Sequence, residues 1–135
     1  MSDSTSTSLA PGLTGEATVR VSETHTAAAL GSGNVNAFST PALIALLEAA
    51  AIAALDGHLP SGQTSVGTHL DVRHLAATPV GMTVRATATL IQVDGRRLVF
   101  AVEAHDDVEQ VGAGMHERFV VDKARFEARV AAKGS

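Results

Sequence analysis

Apolar and polar positions change rhythm along this chain, and each change predicts an element. From residue 16 to 23 they alternate, with Ala17, Val19 and Val21 on one side and Thr18, Arg20 and Ser22 on the other, the period of a half-buried strand. Residues 41–55 form an almost unbroken Ala/Leu/Ile run. Thr40-Pro41 ahead of it supplies an N-cap residue and a proline at the first helical position, so a helix from 41 to about 55 is predicted, ended by Asp56-Gly57. From residue 64 the two-residue period returns. Residues 64–75 place Val66, Leu70, Val72 and His74 on one face and Gly67, His69, Asp71 and Arg73 on the other. Strands over 82–93 and 97–105 flank the hairpin signal Asp94-Gly95, and a last strand runs from about 108 to 121. Gly112 and Gly114 within it mark a bulge or a close backbone approach. A short helical turn is expected over 123–132.

The predicted order is strand, loop, long helix, then strands joined mostly by tight turns, which is an α+β fold with an antiparallel sheet. Residues 1–14 read as a solvated, disordered tail and 15–132 as one domain. The intervening stretch 24–37, with its GSGN, lacks a sustained period and reads as a flexible loop able to lie over a site. The helix carries the most information. Residues 43–55 have no polar stripe, and a helix apolar on every side must be covered on nearly every side. A curved antiparallel sheet wrapped round one long apolar helix provides that cover, which is the hot-dog architecture. Its bare edge strand and remaining helix surface call for a second copy, so a homodimer is expected.

Composition narrows the function. With 10 basic residues against 14 acidic ones, and four Phe as the only aromatic residues, the chain is ill suited to binding nucleic acid. Absence of cysteine removes disulfides, thiolate zinc sites and Cys nucleophiles, and fits a reducing cytoplasm. The longest apolar stretch is well short of the roughly 20 residues that span a bilayer, so no membrane association is expected. No H-x-H, HExxH, GxGxxG or Walker pattern appears, so neither a metal nor a nucleotide cofactor is expected.

Candidate chemistry starts at Glu48, the one carboxylate inside the apolar helix. Enclosing it costs several kcal/mol unless it is paired or hydrogen-bonded. It reads either as a structural ion-pair partner or as a general base or nucleophile. His74, on the apolar face of its strand, is the second anomaly; a satisfied core histidine is the competing explanation. His25, His58, His69, His105 and His116 have weaker cases. Thr40 is a natural N-cap, which alone would explain it, and lies about 12 Å of helix rise from Glu48, so both could reach a group between them. Gly67 is either a plain bulge or a backbone donor open to a ligand carbonyl.

The segments T-H-L-D-V-R-H-L-A-A-T-P-V-G-M-T-V (68–84), V-D-G-R-R-L-V-F-A-V-E-A-H-D (93–106) and G-A-G-M-H-E-R-F-V-V (112–121) together resemble the fluoroacetyl-CoA thioesterase family of hot-dog proteins. The resemblance implies hydrolysis of an acyl-CoA thioester by Thr40, Glu48 and His74, with Gly67 and Arg118 taking part in substrate binding, in a homodimer. Members that select a fluorinated acetyl group carry an aromatic-rich lid ahead of the helix. Here residues 30–38 hold a single ring, Phe38, which favours a short or modest acyl-CoA over fluoroacetyl selectivity. A non-catalytic binder of acyl-CoA or another hydrophobic ligand is the alternative on the same fold. A dehydratase ranks last, for want of a D-x-x-P-x-H segment.

Overall fold

The computed structural model describes residues 9–135. Its core is a curled antiparallel sheet of five strands in the order β1-β3-β4-β5-β2, formed by β1 (Thr14–Arg20), β2 (Gln63–His74), β3 (Thr83–Asp94), β4 (Arg97–His105) and β5 (Gln110–Asp122). Three helices complete it: α1 (Ala27–Leu30), α2 (Thr40–Leu55) and α3 (Lys123–Gly134). The fold is α+β, with α2 lying in the concave face of the sheet. Alternation decides which side chains meet the helix: Val84, Ala86, Ala88 and Leu90 of β3 and Leu98, Phe100, Val102 and Ala104 of β4 are buried against Leu43, Leu47, Ala50 and Ala54. Gly15 lets β1 press onto the helix, since a Cβ there would run into the backbone of Ala50 and Ala54.

Residues 1–8 of the expected tail lie outside the described residues. The remainder of that stretch is tied down: Gly12 donates to the Leu90 carbonyl and Leu90 to that of Leu13, both at 2.8 Å, and Leu9 and Leu13 pack on the core. The stretch expected to be an irregular loop is likewise organised. A 3-10 turn at Glu23–His25 and the single turn α1 are pinned by Ala27 donating to Ala37 (3.0 Å) and Phe38 donating to Thr78 (2.8 Å). The C-terminal turn is a full helix, α3, capped by Asp122. At Gly112 and Gly114 the chain makes the close approach predicted there, to Leu43 and to the Asp71 carbonyl respectively.

Two surfaces remain bare. The sheet covers one side of α2; on the other, Ala45, Ala49 and Ala53 are exposed and Ile52 is 53% exposed. Strand β2, twelve residues long, is a sheet edge. No helix among the described residues is long and apolar enough to cross a membrane.

Candidate active site

At the N-terminus of α2, Ser39 is the capping residue, accepting from the Ala42 N–H at 3.1 Å. Thr40, expected in that role, is thereby free for another. Its hydroxyl lies 2.8 Å from His74 Nδ1 at the end of β2, sharing a hydrogen bond. The other ring nitrogen, Nε2, is buried. Burial holds the His74 pKa below its ordinary value, partly offset by the backbone of Ala76, so the ring favours the neutral, proton-accepting form. A cavity of about 520 Å³ opens over this pair, lined by Ser32, Val35, Phe38, Leu75 and both partners. The stretch 31–37 thus does border a site, as an ordered wall rather than a loose loop.

Glu48, two turns further along α2, has its own partners. Its Oε2 accepts from Arg118 Nη1 at 3.2 Å and lies 3.9 Å from His116 Nε2, while a third of the side chain stays exposed. A Cβ at Gly67 would overlap Oε2, so a side chain there would displace the carboxylate from this position. Arg118, 4% exposed, also donates from Nε to Ser65 Oγ (2.8 Å) and from Nη2 to the Ser65 carbonyl (3.1 Å), and its Nη1 lies 3.1 Å from His116 Nε2. Burial draws the Arg118 pKa down and Glu48 opposes that shift, as an ion pair should.

The β2 strand brings Gly67 to this cluster by an irregularity. Gly67 opposes Arg118 and His69 opposes Glu117 on β5, so Thr68 is an extra residue in the ladder. The bulge reverses the parity of the strand. Ser65 and Gly67 therefore share the inner face with Leu70, Val72 and His74, whereas uninterrupted alternation had put Gly67 opposite His74 and Val66 beside it. The bulge expected as one reading of Gly67 is there, and the structure adds that the position gives room to a carboxylate.

All five expected site residues face the interior side of the sheet, but one protomer gathers them into two groups. Thr40 pairs with His74; Glu48 joins Gly67 and Arg118. The imidazole beside Glu48 is His116, not His74. Seven residue steps along β2 lead from Gly67 to His74, roughly 23 Å of strand. Nor is Glu48 sealed in an apolar centre, because the sheet leaves its side of α2 open. Arg118 directs its hydrogen bonds at Ser65, Glu48 and His116. Sequence reasoning passed over His116 and Ser65; the signal for His116 was its position two residues before Arg118 on the same strand face.

A sheet curled round one helix, with these polar groups between the two, is the architecture of the hot-dog thioesterases. The chain belongs to the fluoroacetyl-CoA-specific thioesterase family, whose profile matches residues 21–124. The fluoroacetyl-CoA thioesterase of Streptantibioticus cattleyicolor is 45% identical over 96 residues, 71% of this chain and 69% of that protein. A solved threonine-to-serine mutant of a fluoroacetyl-CoA thioesterase, in complex with acetyl-CoA, superposes with a TM-score of 0.89 at 34% identity, covering 94% of this chain and 100% of the other. A hot-dog-like protein from Thermanaerovibrio acidaminovorans gives 0.84 at 30% identity, with 95% of each chain covered.

Proposed function

We propose that this protein hydrolyses the thioester of a short or modest acyl-CoA, giving the free acid and CoA, in a homodimer whose two copies share each site. The observation that carries the reading is the held carboxylate: Arg118 grips Oε2 of Glu48 from the buried side, while the side chain keeps a third of its surface open. A carboxylate tethered at one oxygen and open at the other suits attack on a carbonyl or removal of a proton from water. Arg118 serves the substrate through the carboxylate it fixes. His74, neutral at rest, takes up the proton released by water and relays it to the CoA thiolate, Thr40 orients that imidazole, and the Gly67 backbone with the α2 N-terminus stabilises the oxyanion. In the direct route Glu48 bonds to the acyl carbon as the C–S bond breaks, and water then cleaves the anhydride; in the other, water adds and Glu48 takes its proton. Hydroxylamine trapping of an acyl-enzyme distinguishes them.

The division of the site supports the homodimer. Two copies joined along β2 by a two-fold axis would pair that strand antiparallel with itself. If the axis passes between Leu70 and Asp71, each Gly67 faces the other copy's His74. Glu48 of one copy then approaches the Thr40–His74 pair of the second, and the bare edges and helix faces become covered.

The acyl group is set against a wall with one ring. Phe38 is 3% exposed and residues 31–37 carry no aromatic side chain, so we assign a short or modest acyl group without fluoroacetyl selectivity. Thiol release measured across acetyl, fluoroacetyl, branched and aromatic CoA esters tests the function. Glu48→Gln and His74→Ala are each expected to lower kcat at least about a hundredfold with the fold intact. Wild-type turnover in both would remove Glu48 and His74 from the mechanism, and tight binding of every ester without thiol release would replace this reading with that of a binder.

A further inference from the structure

His116 is the largest polar side chain inside the sheet for which the proposed reaction has no use. It is fully buried, stacked on Phe100 at 6.2 Å between ring centres, and both nitrogens are engaged. Nδ1 lies 2.9 Å from the His69 carbonyl, an acceptor only, so Nδ1 carries the proton and donates. Nε2 is then a lone pair, and it accepts from Arg118 Nη1 at 3.1 Å. That nitrogen has two hydrogens; the second goes to Glu48 at 3.2 Å.

We propose that His116 is a positioning residue: its Nε2 lone pair, oriented by the bulged backbone at His69, fixes the rotation of Arg118 so that Nη1 aims one N–H at Glu48. The inference rests on Glu48 acting on the thioester. Ser65 holds the rest of the fork, at Nε and Nη2, so His116 and Ser65 between them leave the guanidinium one orientation. The bulge takes part as well. Thr68, the extra residue, precedes His69, whose carbonyl meets the inward-facing His116 ring.

The neutral ring is required. A proton on Nε2 would set N–H against N–H at Arg118 and offer Glu48 a rival cation 3.9 Å away. Groups facing the ring are Glu48 from α2, Arg118 from its own strand, the His69 carbonyl from β2 and Phe100 from β4, with Glu117 acting from the outer face. Burial is the largest influence on its pKa and lowers it, against the pull of the His69 carbonyl.

Three variants separate positioning from packing. His116→Asn keeps a donor near Nδ1 and loses the acceptor; His116→Gln offers an acceptor near Nε2. Asn is expected to lower kcat ten- to a hundredfold with KM changed less than about threefold, and Gln to recover most of that loss. In an Arg118→Gln background, His116→Asn should cost less than about threefold more, because the two act as a unit. Wild-type kcat in folded His116→Asn, failure of Gln to recover activity, or full additivity with Arg118→Gln would each overturn the proposal; if Asn does not fold, the Gln variant alone decides. Glu48→Gln, assayed alongside, keeps the two questions apart: full activity there refutes the role of Glu48, whereas an inactive Glu48→Gln beside a normal His116→Asn refutes only the positioning.

Discussion

Neighbouring hydroxyls at the start of α2 do different work, and this can be measured. Ser39 satisfies the helix end, so Ser39→Ala is expected to cost about 1 kcal/mol of stability, read from the urea midpoint. Thr40 faces His74, so Thr40→Ala should leave that midpoint nearly unchanged and lower kcat instead. Equal stability losses in both would show that Thr40 shares the cap. From sequence, Thr40-Pro41 pointed to Thr40 as the cap; the extended backbone at Ser39 gives that role to Ser39 instead, and no local pattern announces it. The imidazoles add a pH dependence. Burial holds His74 and His116 below the ordinary value of 6.5. Just below that pH the unfolded chain takes up protons that the folded chain refuses, so stability is complete above it and declines as pH falls through the lowered folded values. Urea midpoints should therefore be level from pH 8 to 7 and fall towards pH 5, and the acid limb of kcat/KM should titrate below 6.5. A midpoint constant down to pH 5 would contradict both burials.

The helix and the sheet were legible in the sequence because each rests on a pattern that repeats over many residues. The C-terminal end of α2 and the Asp94-Gly95 hairpin follow from local rules of helix-stop and turn chemistry, and structure and pattern agree there, whereas at its start the helix takes in Thr40 and the cap moves to Ser39. The bulge at Thr68 does not repeat and carries no proline or unusual composition, so counting by twos ran through it and misplaced Gly67. The identity of Glu48's partner was lost by the same step, since the pairing of β2 with β5 brings Arg118 and His116 under the helix and no local pattern specifies which strands pair. Deleting Thr68 tests how much depends on this one residue. It restores an even ladder and forces either Gly67 or the segment after it to the outer face. Activity should fall more than about a hundredfold, while circular dichroism still reports an antiparallel sheet with its helix. An active deletion variant would mean that β2 re-forms its bulge one residue away.

At the scale of the whole molecule, the helix that must be covered on nearly every side is covered on one, and the groups that must cooperate stand at two ends of a strand. Both mismatches have the same resolution in a two-fold pairing along β2. Its consequence differs from that of an ordinary dimer, because in the proposed pairing each site would draw Glu48 from one copy and His74 from the other. Glu48→Gln and His74→Ala protomers are each expected to be inactive as pure dimers. In a mixed dimer, one site combines both defects, and the other combines an intact Glu48 with an intact His74. Random exchange puts about half of the molecules in mixed dimers with one working site each, so the equimolar mixture should regain about one quarter of wild-type activity. Regain should require subunit exchange, developing after brief unfolding and refolding together and not on mixing folded proteins whose exchange is slow. A mixture that stays inactive after joint refolding, with mixed dimers demonstrated by mass, would place Glu48 and His74 in sites that one copy completes alone, and α2 would then have to bend or β2 to shift its register for the two groups to meet.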